Sequence, residues 1–379
     1  MKKISFMLSF IILSAMMVCV PAEALEVSAK YACVMDSLTG KVLYEKNARQ
    51  QYSMASTTKI MTALVALEKG NMEDTVTVSA NAAGTEGSSI YLKAGEKIKL
   101  GDLLYGLMLE SGNDAAIAVA EHIGGSVAKF ADMMNEKAKE IGAKNSHFMN
   151  PNGLDEDGHY TTAYDLALIT RAALKNKDFA QIVSTKKKTI SNGTENYGRS
   201  LSNHNKLLNL YKGCVGVKTG FTKKTGRCLV SAAVRNNFQV IAVTLAAPDD
   251  WNDHTNMLNY AFEHYKAKPL VIKDMIIKTI PVRNGSSNTL ELLANDDFYV
   301  TLEDKEGLNK VRIDYEVPAH INAPVQKGTP VGKIKIYYAR ELVKEVELCA
   351  GVDIEYVEPE KPSLLENVKK LLTHWFEKD

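Results

Sequence analysis

The sequence predicts an α/β fold of the α+β kind, an antiparallel sheet flanked by helices, followed by a small all-β domain and a terminal amphipathic helix. Three observations predict it. Between Met54 and Leu174 apolar residues recur at helical spacing in several segments, each closed by a glycine or a polar cap. From Gly213 the pattern changes to closely spaced apolar runs joined by polar turns, the mark of adjacent antiparallel strands. Beyond residue 270 only alternating stretches remain, until a last helical-period segment at 363–379. The 379 residues are enough for roughly two domains. The expected divisions are an export segment at 1–24, the mixed domain at 25–266, the all-β domain at 270–357 and the helix at 363–379.

Lys and Arg number 46 against 45 Asp and Glu, so the chain has no charge excess of the kind that engages nucleic acid. A small or neutral partner fits better. Met1–Ala24 has the layout of a secretory signal: Lys2 and Lys3, an apolar run from Ile4 to Val20, then Pro21-Ala22-Glu23-Ala24 with cleavage expected after Ala24. An uncleaved anchor is the competing reading, and it meets a run short for a spanning helix and a proline at its end. Either way the body of the chain lies outside the cytoplasm. Cleavage leaves Cys33, Cys214, Cys228 and Cys349, too scattered for a disulfide framework or for zinc-ligand spacing. A Cys214–Cys228 bridge and buried free thiols both stay open.

Tyr31–Met35 and Val42–Tyr44 flank the turn residues Asp36–Gly40, which makes a β-hairpin. Met54–Lys69 carries Ile60, Ala63, Leu64 and Leu67 at helical period, and Gly70-Asn71 stops it. Ser56 falls in the first turn of that helix, with Lys59 one turn on along the same face. A serine hydroxyl is a poor nucleophile until a base takes its proton, and Lys59 is placed to do so. The positive end of the helix dipole also favours the alkoxide. The same Ser-x-x-Lys spacing recurs at Ser126–Lys129 and Ser184–Lys187. Neither has this setting, since Ser126 follows Gly124-Gly125 at a helix junction and Lys187 lies in the basic run 186–188, read as a solvated loop.

Leu100–Leu109 and Ala115–Ile123 read as helices separated by Ser111-Gly112-Asn113. That break is either an ordinary turn capped by Asn113-Asp114, or a site where Ser111 relays a proton and the Asn113 amide holds a substrate peptide bond. Ala128–Ile141 is a helix; the turn-forming stretch Asn150–His159 follows, and Thr162-Ala163-Tyr164-Asp165 caps the helix Leu166–Leu174. His147 and His159 read as loop-packing residues, because no cysteine or second histidine pattern completes a metal site. No metal and no cofactor are expected. Cys214–Phe221, Cys228–Val234 and Gln239–Leu245 read as adjacent strands around a turn at Thr222–Gly226. Lys218-Thr219-Gly220 occurs once, and a strand glycine admits another backbone, here expected to be a substrate peptide along a sheet edge.

Three elements therefore stand in order: Ser56-x-x-Lys59, Ser111-Gly112-Asn113 and Lys218-Thr219-Gly220. With Met54–Thr62, Asn150–Leu154, Thr162–Asp165 and Val217–Thr222, they make the chain resemble the low-molecular-mass penicillin-binding proteins that are D-alanyl-D-alanine carboxypeptidases. The resemblance covers nearly the whole mature chain and implies the serine β-lactamase/DD-peptidase-like fold for the mixed domain. It implies acyl transfer at the terminal D-Ala-D-Ala bond of the peptidoglycan stem peptide, with β-lactams as covalent inhibitors. Ser56 would attack and Lys59 would be its base, made competent by burial and by the charge of Lys218. Ser111 would relay a proton to the leaving amine and Asn113 would orient the acyl side. Lys218 and Thr219 would meet the terminal carboxylate, with Gly220 and Phe221 continuing the substrate-binding strand. The N–H groups of Ser56 and Phe221 would form the oxyanion hole. An arginine helping to hold the carboxylate is expected among Arg199, Arg227 and Arg235, with nothing to choose between them.

A class A-like β-lactamase shares these elements but needs a glutamate that activates the deacylating water. The Glu-x-x-Leu-Asn signature is missing, and Glu156 lies in the corresponding loop without that context, so penicillin should leave a long-lived acyl-enzyme. A non-catalytic peptidoglycan-binding scaffold is opposed by intact Ser56, Lys59, Ser111 and Lys218.

Met257–Tyr265 reads as a closing helix and Lys266–Pro269 as a linker. Ile276–Ile280, Phe298–Leu302 and Lys333–Tyr337, with turns at Asn284-Gly285 and Glu306-Gly307, form the all-β domain. After Glu358–Pro362, Leu364, Leu365, Val368, Leu371, Leu372, Trp375 and Phe376 share one helical face. That face suits a membrane surface, with a helix packed on protein as the alternative. The expected location is the outer face of the cytoplasmic membrane.

Overall fold

The computed structural model describes residues 25–191, 198–303 and 307–358. The expected signal at 1–24, the expected helix at 363–379 and Glu306 of the expected turn lie outside the described residues.

The N-terminal hairpin, Tyr31–Asp36 with Val42–Lys46, completes a sheet whose other strands come from the far end of the mixed domain. Tyr31–Asp36 pairs with Phe238–Leu245, which pairs with Gly226–Arg235, and Cys214–Thr222 closes the five-stranded antiparallel sheet as an edge. Its inner strands are covered on both faces, so they read as unbroken apolar runs. Alternate residues part into two cores. Cys33, Met35, Val230, Ile241 and Val243 pack with Lys59–Lys69, Leu100–Leu109, Asn113–Gly124 and Ala163–Leu174. Ala32, Val34, Leu229, Val240 and Ala242 pack under Met257, Leu258, Ala261 and Phe262 of the helix Asp250–His264. The helix Asn113–Gly124 runs through the interior, and Ala115, Ala116, Ala118 and Ala120 among its buried residues let neighbours approach closely.

The two other Ser-x-x-Lys segments are structural. Ser126 caps the helix Val127–Ile141 by accepting the Lys129 N–H at 3.2 Å. The Ser184 hydroxyl donates to the Ala180 carbonyl at 2.8 Å, in the last turn of Lys177–Ser184. Lys187 begins a strand, Lys187–Ile190, paired with Arg199–Ser202, which corrects the expected solvated loop. The buried Ile190 anchors that short ribbon while its lysines face out. Thr162 caps Ala163–Leu174 through the Asp165 N–H.

The closing helix starts at Asp250, two turns before the apolar period begins, because polar residues bury its first turns through specific bonds. Asp253 accepts the Ser28 and Ala29 N–H groups and the Ser28 hydroxyl at 2.7–2.9 Å. The expected linker at 266–269 is a strand: Tyr265–Val271 follows the helix directly and pairs antiparallel with Phe298–Glu303. Val271, Val300 and Leu302 bury its inner side, so the lysines that suggested a linker are the exposed half of a strand pattern. The six-stranded sheet runs Val311–Glu316, Pro330–Tyr338, Glu341–Ala350, Thr289–Ala294, Ile276–Arg283, Ile321–Asn322, around a separate core that includes Ile280, Leu292, Ile336 and Leu348.

His254 lies wholly inside the mixed domain, with Nδ1 2.6 Å from Ser231 Oγ and Nε2 2.9 Å from Thr244 Oγ1. Burial lowers its pKa to about 3. The unfolded chain takes up a proton here below its ordinary value of about 6.5, and the folded chain does not until about 3. Stability is therefore present above that range and is lost on acidification through it, at up to ~1.4 kcal/mol per pH unit. His254→Asn is expected to flatten the fall in urea-unfolding free energy between pH 6 and pH 4 by about one proton's worth. An unchanged slope would exclude His254 as its source.

Candidate active site

A single turn of 3₁₀ helix, Ala55–Thr58, carries the serine, and regular α-helix begins at Lys59. Ala55 stands at φ 46°, in the left-handed region. The turn is tied down by the Thr57 hydroxyl on the Met54 carbonyl at 2.5 Å and by the Thr58 hydroxyl on the Ala55 carbonyl at 2.8 Å. Two glycines let other chain segments close on it. Gly153, at φ +86°, would place a Cβ 2.0 Å from the Ala55 carbonyl oxygen, so no other residue fits in Asn150–Leu154 at that point. A Cβ on Gly220 would lie 3.1–3.2 Å from Thr57 N, Met54 O and Ser56 N. The backbone that Gly220 admits in this structure is the serine turn.

Lys59 is fully buried, and its Nζ has three oxygens around it: Ser56 Oγ at 3.0 Å, Asn113 Oδ1 at 2.7 Å and the Asn152 carbonyl at 2.5 Å. The last two can only accept, so they fix two N–H bonds. An uncharged amine then has its lone pair directed at the Ser56 hydroxyl. Burial chiefly, and Lys218 next, hold the Lys59 pKa well below the ordinary lysine value, with Asp114 opposing. Burial lowers Lys218 to about 7; its Nζ donates to the Thr219 carbonyl at 2.9 Å.

Ser111 takes the left-handed conformation, φ 62°, just before the helix Asn113–Gly124. Asn113 is engaged at both ends, Oδ1 by Lys59 and Nδ2 by the Glu86 carbonyl at 2.7 Å. The Asp114 carboxylate pins the neighbouring loop by accepting the N–H groups of Ile90 and Leu92 and the Ser89 hydroxyl. A cavity of 310 Å³ brings Ser56, Ser111, Thr219, Gly220 and Phe221 onto one wall system, with Lys59, Asn113 and Lys218 buried.

Residues 18–249 match the family described as D-alanyl-D-alanine carboxypeptidase. The chain belongs to that family. Residues 265–356 match the C-terminal domain of penicillin-binding protein 5. The D-alanyl-D-alanine carboxypeptidase DacF of Bacillus subtilis is 36% identical over 355 residues, covering 92% of this chain and 90% of its own. Penicillin-binding protein 5 from Haemophilus influenzae superposes with a TM-score of 0.63 at 28% identity, over 87% of this chain and 98% of that one. A peptidoglycan synthesis regulatory factor from Streptococcus pneumoniae reaches 0.72 at 27% identity, over 87% and 100%. This carboxypeptidase is a serine-type hydrolase of D-Ala-D-Ala ends in peptidoglycan and a target of β-lactams, and it works outside the cytoplasm.

Sequence reasoning missed several residues of the carboxypeptidase's cavity: Ser88, His204, Asp250 and Trp251. Ser88 and His204 sit on loops without periodicity, and His204 is held by Glu110 at 3.1 Å across 94 residues of chain. The Asn152 contact is a backbone carbonyl, which no motif spells.

The three candidate arginines separate clearly. Arg199 is bound to Glu96 and the Tyr91 carbonyl. Arg235 lies over the rings of Tyr211 and Phe262. Arg227 lines the cavity, with Nε and Nη2 on Asp250 Oδ1 at 2.9 and 2.8 Å, and stands opposite Phe221 in register. Glu156 accepts from Asn150 and lines a different cavity, with Tyr52 and Lys224. Cys214 pairs with Ala233 and Cys228 with Gly220, at opposite ends of one hairpin, so they form no bridge. Burial pushes the Cys33 and Cys228 thiols up to about 12.

Proposed function

We propose that this carboxypeptidase works through a Ser56 acyl-enzyme with uncharged Lys59 as the base. The observation that carries the reading is the three-oxygen shell of Lys59 Nζ, two acceptors and one hydroxyl. Ser56 Oγ attacks the carbonyl of the penultimate D-alanine as its proton passes to Lys59. The developing oxyanion is met by the N–H groups of Ser56 and Phe221. Ser111 passes a proton to the departing D-alanine amine, and water then attacks the ester with Lys59 again as base. Asn113 orients the acyl side by exchanging the Glu86 carbonyl for that of the substrate.

The terminal carboxylate is read at the other end of the cavity. Thr219 and Arg227 face it, and Lys218 adds its charge from beneath the strand. Arg227→Ala is expected to lower D-alanine release from a peptide with a free terminal carboxylate by roughly 10- to 100-fold, the worth of one charge-assisted bond pair, and to spare the amidated peptide. Arg199→Ala should leave both unchanged. Equal loss on the two peptides with Arg227→Ala would remove it from the carboxylate site.

Residues 25–266 hold this chemistry in one domain, 270–357 form a second that displays none, and residues 363–379, outside the described residues, supply the attachment to the membrane surface. Among the described residues no helix is long and apolar enough to cross a membrane. Deleting 363–379 is expected to move the protein from the membrane to the soluble fraction at unchanged activity on a soluble peptide. A protein that stays with the membrane would count against the anchor.

A further inference from the structure

We propose that His159 is a positioning residue for the nucleophile's turn, acting through Thr58 on the Ala55 carbonyl without touching substrate. The proposal rests on the assignment of Ser56 and Lys59 above. The imidazole is 6% exposed and is held between two bonds of opposite sense. The Met149 N–H donates to Nδ1 at 3.0 Å, so Nδ1 carries a lone pair and the neutral ring has its proton on Nε2. Nε2 lies 2.8 Å from Thr58 Oγ1. The Thr58 hydroxyl spends its own hydrogen on the Ala55 carbonyl at 2.8 Å, so its oxygen accepts from His159. A one-way chain therefore runs from Met149 N–H through His159 and Thr58 to Ala55. Burial keeps the ring uncharged, with its pKa lowered to about 4, and this sense of the chain persists at neutral pH.

The far end of the chain is the residue before the nucleophile. Ala55 is held at φ 46°, a conformation that is strained for an alanine and persists only if its surroundings enforce it. Gly153 is stripped of a side chain where a Cβ would strike both the Ala55 carbonyl and, at 2.9 Å, Thr58 Oγ1. Phe148 fixes the imidazole plane edge-on at 5.9 Å. Sequence places His159 103 residues from Ser56, and only the fold joins them.

The test uses the full chain, with benzylpenicillin acylation rate, the labelled peptide and the melting temperature as readouts. His159→Gln can put an amide N–H where Nε2 was, and is expected to keep acylation within about threefold of the wild type. His159→Asn keeps an acceptor near Nδ1 but nothing at Nε2, and should acylate roughly tenfold more slowly at a melting temperature like that of the Gln variant. Thr58→Val should fall by a similar factor, Thr58→Ser should recover, and the His159→Asn/Thr58→Val double variant should lose no more than the worse single one. Equal rates for the Asn and Gln variants, or losses that multiply in the double variant, overturn the proposal. If His159→Asn fails to fold, the Thr58 pair decides, and no recovery with serine overturns it. Drug found on a peptide without Ser56 in the wild type overturns the nucleophile assignment instead, so the two failures are told apart.

Discussion

Ser56→Ala is expected to abolish both the penicillin adduct and D-alanine release, a fall of about 10⁴-fold or more, because the variant has no atom to carry the acyl group. The fold should survive. The Ser56 side chain is only partly buried and its hydroxyl is bonded to Lys59 Nζ, so its removal costs on the order of 1 kcal/mol. Unchanged melting with lost labelling is thus the diagnostic pair. Mass spectrometry of a tryptic digest of the labelled wild type should find the drug on the peptide carrying Ser56. A Ser56→Ala protein that still forms the adduct would mean that another hydroxyl carries the chemistry. Ser111 and Ser88 are the ones to examine, since both share the cavity.

The elements that were legible in the sequence are those whose physics is local. Leu100–Leu109 was readable to the residue, because an apolar period and a polar break define it without help from elsewhere. The hairpin Cys214–Thr222 with Gly226–Arg235 announced itself by a short polar turn between apolar runs. Helix Asp250–His264 was half hidden, because Asp253 and His254 belong to its buried face and satisfy themselves on Ser28, Ser231 and Thr244. A hydrophobic pattern cannot register burial achieved by polar bonds. Tyr265–Val271 was hidden for the opposite reason, its exposed lysines masking the half of the strand that is inside.

The site divides in the same way. Ser56, Lys59, Ser111, Asn113 and Lys218 stood out as motifs, and the fold brings them together. That Arg227, and neither Arg199 nor Arg235, lines the cavity had to wait for three dimensions, since all three lie within twenty residues of Lys218 in the chain. Gly220 shows how a signal in the sequence can have a neighbour that the sequence does not name. A strand glycine admits a backbone, and in this structure the turn of residues 54–57 closes on it, which places Ser56 beside the strand.

Lys59→Arg is expected to lower acylation by about 10³-fold or more although it keeps a basic side chain, because a guanidinium does not give up its proton and cannot take one from Ser56. The same reasoning fixes the sign of the pH dependence. Acylation requires the uncharged amine, so it rises with pH through the Lys59 pKa, and burial with the Lys218 charge sets that rise well below the ordinary lysine value of 10.5. Lys218→Ala removes a like charge and admits water beside Lys59. Both changes favour the protonated amine, so both raise its pKa. The acid limb of the acylation rate should then move to higher pH, whatever happens to its plateau. The two amines titrate as a coupled pair, and the limb reports the pair in the wild type but Lys59 alone in the variant. Stopped-flow acylation by benzylpenicillin between pH 5 and pH 10 reads the shift directly. A limb that stays in place would show that the charge of Lys218 does not act on the base, and a limb that moves to lower pH would show that the titrating group is not a lysine held neutral by its surroundings.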